Sequence, residues 1–163
     1  MKTIHAVEER EIAAPADRIY RCLADYRNHH FKFLPAAFTE AAVEEGGMGA
    51  GTVLRASVKL GGRTFPFRAR VDEPEPGRIL TETDLATGAI TTFTLTPRES
   101  GTLVRFETRF PRSPGLRGLA ERLFVPGMLR RLYQDELARL DGYVRTVVES
   151  EEARPGPTGK RSI

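Results

Sequence analysis

"TVLRASVKLGGRTFPFRARVD", residues 52–72, alternates apolar and polar side chains on both sides of a glycine pair. Leu54, Ala56, Val58 and Leu60 share one face of the first half, with Arg55, Ser57 and Lys59 on the other. In the second half Phe65, Phe67, Ala69 and Val71 oppose Arg68, Arg70 and Asp72. A period of two is the signature of a strand, and two glycines between strands supply the positive φ angles of a tight hairpin turn. The stretch therefore predicts two antiparallel strands with one apolar and one wetted face.

The same pattern extends downstream. "EPEPG" turns the chain, then "RILTETD" and "AITTFTLT" follow. After "RESG" comes "TLVRFETRF", with Val104, Phe106, Thr108 and Phe110 on one side. Upstream, residues 3–12 suit an opening strand. "AAPADRIYRCLADY" suits a helix, with Pro15 at its first position, Asp17 in the first turn and Ile19, Leu23 and Tyr26 on one face. "RNHHFKFLP" is short and irregular, and Pro35 returns the chain to extended structure.

An apolar sheet face of this size requires a cover, and the C-terminal third supplies it. Ser113 is a suitable N-cap and Pro114 suits the first turn of "GLRGLAERLFV"; after Pro126 and Gly127 the pattern resumes as "MLRRLYQDELARLDGYVRTVVE". In a straight helix Leu116, Leu119 and Leu123 would lie about 90° from the stripe of Leu129, Tyr133, Leu140, Val144 and Val147. Pro126 removes one helical bond and crowds the carbonyl of Arg122, so a kink or a full break here would turn both stripes inward. Residues 150–163, "SEEARPGPTGKRSI", are expected to form a disordered tail.

The 163 residues fit one domain, which at this size buries roughly 70% of the unfolded chain's surface. The single cysteine, Cys22, precludes an intrachain disulfide and suits a reducing cytoplasm. His5, His29 and His30 have no zinc-ligand spacing, and neither a metal nor a cofactor is expected. The opening "MKTIHAVEEREI" lacks the apolar run of a signal peptide, and no stretch has membrane-spanning length. A cytoplasmic protein without stable membrane insertion is expected. The net charge of +3 is small and dispersed and tryptophan is absent, which argues against nucleic acid as a partner. Doublets such as Arg130 and Arg131 suit the solvated face of a helix. No feature specifies an oligomeric state.

The pieces "IAAPADRIYRCLADY", "FLP", "GMGAGTVLRASV" and "SGTLVRFETRF", followed by the terminal helix, resemble the START-like (SRPBCC) superfamily, specifically its polyketide cyclase/dehydrase type. The resemblance runs to about Glu149, defining a domain over residues 1–149. It implies an α+β helix-grip fold: a curved seven-stranded antiparallel sheet wrapped around a long C-terminal helix, with two small helices after strand 1. It also implies a hydrophobic cavity between sheet and helix. Members bind lipids, polyketides, hormones or other apolar molecules, and some are cyclases or hydrolases. The superfamily has no universal catalytic motif, so no catalytic residue is carried over.

Glu136 falls inside the apolar stripe of the last helix. A carboxyl facing a dry cavity would have a raised pKa and could serve as acid, base or anchor for a ligand hydroxyl. Alternatively it lies at the stripe's edge and pairs with Arg139 or a strand arginine. Tyr133 and Tyr143 share the stripe, each offering a ring and a hydroxyl, or else packing as core residues. Thr81, Thr92 and Thr108 are candidate interior polar groups, subject to a one-residue register shift that would reverse the face. One of His29 and His30 could sit at the cavity mouth with Tyr26 and Phe33, the other being solvated. "EEGGMGAGT" leads into a strand and suits a flexible hairpin rim better than a phosphate loop. Cys22 suits a buried hydrophobe better than a nucleophile.

The expected function is binding or carriage of a small hydrophobic, lipid- or polyketide-like molecule. The cavity would be lined by Leu54, Val58, Phe65, Phe67, Phe93, Phe106, Thr108, Leu129, Tyr133, Glu136 and Tyr143. One alternative is an aromatase/cyclase or dehydratase with Glu136, Tyr133 and His29 as candidate catalytic groups. At least two titratable groups converging inside the pocket would favour it. The other is a protein-interaction module with a residual cavity and an exposed apolar patch.

Overall fold

The computed structural model describes residues 3–111 and 113–154, apart from the Leu119 side chain. Strand β1 (Thr3–Ile12) leads into helix α1 (Ala16–Ala24) and a single 3-10 turn (His30–Lys32). Six strands follow: β2 (Phe38–Glu45), β3 (Val53–Leu60), β4 (Arg63–Glu75), β5 (Ile79–Asp84), β6 (Ile90–Arg98) and β7 (Gly101–Pro111). Helix α2 (Gly115–Glu152) closes the described chain. The seven strands form one antiparallel sheet in the order β1-β7-β6-β5-β4-β3-β2.

The glycine pair does what its conformational freedom allows. Gly61 and Gly62 have φ of 57° and 77°, the two positive angles of the turn whose twist matches paired strands, and Val58 then faces Phe65. Leu54, Ala56 and Val58 are buried on the inner face of β3, as are Ala69 and Val71 on β4. Phe65 has the expected face but lies near the hairpin tip, where it is 47% exposed. On the central strands Leu80, Phe93, Leu95, Val104 and Phe106 are buried together. Each fully buried side chain of this kind stabilises the fold by about 1.5–3 kcal/mol.

Helix α2 is unbroken through Pro126, so neither a break nor the inward turning of both stripes is found. Tyr133, Leu137, Leu140 and Val144 enter the core. Leu116, Leu123 and Phe124 instead face solvent, at 86%, 67% and 73% exposure. Ser113 is not the cap: Pro114 occupies that position, and the Ser113 hydroxyl and N–H both donate to the Glu121 carboxylate. The helix also continues past residue 149, because Glu151 pairs with Arg18 and Arg21 of α1 and holds the last turn down. The rest of the tail, residues 155–163, lies outside the described residues. Asp141, buried on α2, receives hydrogen bonds from Arg10 of β1 and Arg145, each at 2.9 Å, and so ties helix to sheet edge.

The glycine-rich segment is pinned, not a loose rim. Tyr26 N donates to Gly47 O and Gly49 N to Ala24 O, both at 2.9 Å. Ala50 N donates to Glu73, whose other oxygen accepts from the Tyr20 hydroxyl. Gly49 has a φ of 57°, and a Cβ there would lie 2.2 Å from the Glu73 carboxylate and displace it, so both backbone and contact favour glycine. These contacts set the path from α1 into the 3-10 turn, and with it the position of His30.

Candidate functional site

The space between α2 and the inner face of the sheet holds a polar cluster within an apolar surround. Phe93 and Phe106 meet edge to face with centroids 4.6 Å apart, and Phe106 meets Tyr133 in the same way at 5.8 Å. Beside them the Tyr133 hydroxyl bonds to Thr108 Oγ1, which lies 2.8 Å from Thr91 Oγ1. This chain of three hydroxyls joins α2 to β7 and β6. Burial pushes the Tyr133 phenol up to about 12, against the opposing hydrogen bonds of Thr108 and Thr91, so the hydroxyl keeps its proton.

Glu136 is one turn further along α2 and 4% exposed. It makes no hydrogen bond to another described side chain; Arg139, its alternative partner, pairs with Asp135 at 3.0 Å. Burial holds its carboxyl well above the usual carboxylate range, reinforced by the charges of Glu82 and Asp135. This favours the protonated form, which can donate one hydrogen bond and accept others.

A second carboxylate that sequence reading missed, Glu82 of β5, is buried nearby. Tyr26 donates its hydroxyl to Glu82 Oε1 at 2.7 Å, and His30 Nε2 lies 3.7 Å from the same oxygen. The His30 ring stacks on Tyr26 at 4.3 Å, with Phe33 and Phe93 also around it. Its Nδ1 lies 2.6 Å from the carbonyl of Leu23. A carbonyl only accepts, so Nδ1 carries the proton and Nε2 turns its lone pair toward Glu82 when the ring is neutral. Burial lowers the His30 pKa, opposed by Glu82 and the Leu23 carbonyl, and favours that neutral form.

His30, then, and not His29, joins Tyr26 and Phe33 in the interior. His29 is half-buried, its Nδ1 2.8 Å from the Tyr143 hydroxyl. Of the other expected lining residues, Leu54, Val58, Phe93, Phe106 and Thr108 are buried on the inner sheet face, while Phe67, Leu129 and Tyr143 are half-buried. Thr81 and Thr92 pair with each other on the outer face; Leu80, Glu82 and Thr91 take the inner positions. The alternation starting from Leu80 would have placed Glu82 inside, but the cost of burying a carboxylate makes threonine the natural choice from sequence. Cys22 is buried and its thiol is pushed up to about 11 by burial, which suits packing and not nucleophilic attack.

An open cleft of about 730 Å³ lies beside Gly127, next to the proline of α2. Pro35, Ala36 and Ala37 form one wall, Leu60 and Gly61 of the β3–β4 hairpin another, and Leu123, Phe124, Gly127, Met128, Arg131, Leu132 and Asp135 of α2 the third. None of these was among the expected lining residues. Leu132 lies one helical turn before Glu136, so the apolar wall of the cleft continues along α2 toward the buried acid.

No curated protein matches the chain. Among solved structures, KanY protein, known from NMR, is 27% identical with a TM-score of 0.78, covering 89% of this chain and 99% of that one. The Zhui aromatase/cyclase from Streptomyces sp. R1128 is 20% identical with a TM-score of 0.71, covering 90% and 96%. A START superfamily protein from Mycobacterium smegmatis is 16% identical with a TM-score of 0.69, covering 88% and 98%. These likenesses agree with the helix-grip arrangement of sheet and terminal helix. The family profile described as polyketide cyclase / dehydrase and lipid transport matches residues 3–145, most of the chain's length, and the chain belongs to that family.

Proposed function

We propose that this protein binds a small, largely apolar molecule carrying a hydroxyl or carbonyl group, held between α2 and the sheet with its polar end at Glu136. The observation that carries this reading is Glu136: a buried acid with no described hydrogen-bond partner, set among aromatic and aliphatic side chains. A carboxyl in an apolar setting is poorly solvated, and a ligand oxygen would supply a hydrogen bond that no described side chain provides. The apolar cleft that shares the α2 wall offers a route of suitable size for a lipid- or polyketide-like molecule.

Native mass spectrometry of freshly purified protein, followed by denaturing extraction, tests the reading. A stoichiometric apolar molecule is expected. With a fluorescent fatty alcohol as probe, Glu136→Leu should weaken binding about tenfold or more, as loss of one good hydrogen bond does, while Glu136→Gln retains most of it. Absence of saturable probe binding in the wild type would overturn the proposal.

A second reading is favoured by the convergence of Glu82, Glu136, Tyr26 and His30. Glu136 in its protonated form and the Nε2 lone pair of His30 would be an acid and a base in one interior, the pair that a cyclisation or dehydration needs to move protons. In this reading the fold orients a flexible chain and these groups add and remove the protons. Turnover of a poly-β-carbonyl substrate, lost in His30→Ala and Glu136→Gln alike, would support it. Equal product profiles with and without protein would exclude it.

A further inference from the structure

Leu116, Leu123 and Phe124 are the three most exposed large apolar side chains among the described residues. They fall within an arc of about 100° on α2, turned away from the stripe that Tyr133, Leu137, Leu140 and Val144 bury. Leu123 and Phe124 form one rim of the cleft; across it stand Leu60 and Gly61 of the β3–β4 hairpin, which also exposes Phe65. Helix and hairpin thus present two apolar projections on either side of one opening.

The same two elements carry cations. Arg63 of the hairpin and Arg130 and Arg131 of α2 are exposed, the latter two within about 20° of Leu123 and Phe124 around the helix, and none forms an ion pair with a carboxylate among the described residues. The nearby acids are already engaged: Glu121 by Ser113 and Arg117, Asp135 by Arg139. A second copy of the chain is a poor match for this surface. Two-fold symmetry would set the patch against itself, and juxtaposed like charges oppose association.

The geometry points to reversible docking of this rim on an anionic lipid surface. Leucine and phenylalanine side chains enter the boundary between headgroups and acyl chains, while long arginine stems keep their guanidinium groups at the phosphates. No helix among the described residues is long and apolar enough to cross a membrane, so the contact is peripheral. When docked, the cleft mouth faces the bilayer, and an apolar molecule passes between them without crossing water. That use of the surface rests on the binding function proposed above; the docking itself does not.

Co-sedimentation with vesicles tests it, using phosphatidylcholine alone and phosphatidylcholine with about a third phosphatidylserine. The wild type should bind the anionic vesicles about tenfold more strongly than the neutral ones and be released by added salt. Leu123→Ser combined with Phe124→Ser, and separately Arg63→Gln with Arg130→Gln and Arg131→Gln, should each reduce binding about tenfold. Thermal melts should match the wild type, since these side chains bury little. Equal binding to neutral and anionic vesicles, or variants that bind as the wild type does, would overturn the proposal. So would a dimer in sedimentation velocity that dissociates in the Leu123/Phe124 variant, because that assigns the face to a second copy. Probe binding without vesicle binding defeats the docking alone; vesicle binding without probe binding defeats the ligand reading alone.

Discussion

The hydroxyl of Tyr26, just past the end of α1, donates a 2.7 Å hydrogen bond to Glu82 in the middle of β5, and both residues are buried. This contact spans 56 positions in the chain and places the start of the 3-10 turn against the sheet. It also makes Glu82 a polar residue that the core can tolerate.

Removing the donor tests that role. Tyr26→Phe keeps the ring and its stacking on His30 but leaves Glu82 short of one partner, which should cost about 1–3 kcal/mol in urea unfolding. Unchanged stability would mean that water replaces the phenol.

Glu136 should impose a pH dependence on stability. Its folded-state pKa lies above the unfolded value of about 4.3, so its favourable contribution is complete below that pH and is lost as pH rises through the folded value. Relative to Glu136→Gln, the wild type should therefore lose stability from mildly acid pH upward. Unfolding midpoints at several pH values check this, and parallel profiles for the two proteins would contradict it.

Asp141 should act in the opposite direction. Burial opposes its charge, but the hydrogen bonds from Arg145 and Arg10 prevail and hold its carboxylate below the usual range. Its contribution is present above the unfolded pKa of about 3.9 and is lost as pH falls through the folded value. Asp141→Asn should cost about 1–2 kcal/mol at neutral pH, a figure moderated because both arginines are partly solvated. The difference from wild type should shrink in strong acid.

Gly127 separates helix stability from cleft access. It lies within α2, and a Cβ there would meet no atom within 4 Å. Gly127→Ala should stabilise the protein by up to about 1 kcal/mol through helix propensity, seen as a higher Tm. Gly127→Leu places a side chain in the cleft and should weaken binding of the fluorescent fatty alcohol while leaving the fold intact. Probe affinity equal to wild type in the leucine variant would exclude the cleft as the route.

The sheet was legible in the alternation around Gly61 and Gly62, because side chains on a strand change face at every residue and a tight turn demands particular backbone angles. Tyr133 was legible on its apolar stripe for a similar reason, while Thr108 and Glu136 were left open, the one by strand register and the other by its alternative pairing with Arg139. Glu82 was missed, and His30 was named only as one of two histidines that could join Tyr26 and Phe33. Each interrupts the local hydrophobic pattern, and each becomes tolerable inside only through Tyr26, Leu23 and other residues brought near by the fold.

The sequence by itself determined the order of elements, the inward faces of β3, β4 and β7 and the buried stripe of α2, since all of these follow from short-range periodicity. Tertiary structure alone decided which carboxylates and which histidine lie inside, that α2 stays whole through Pro126, and that its first turns remain uncovered. Those outcomes depend on what stands opposite each residue across the core. A buried polar group needs a partner and an apolar one needs a surface to pack on, and both are supplied by residues far away in the chain.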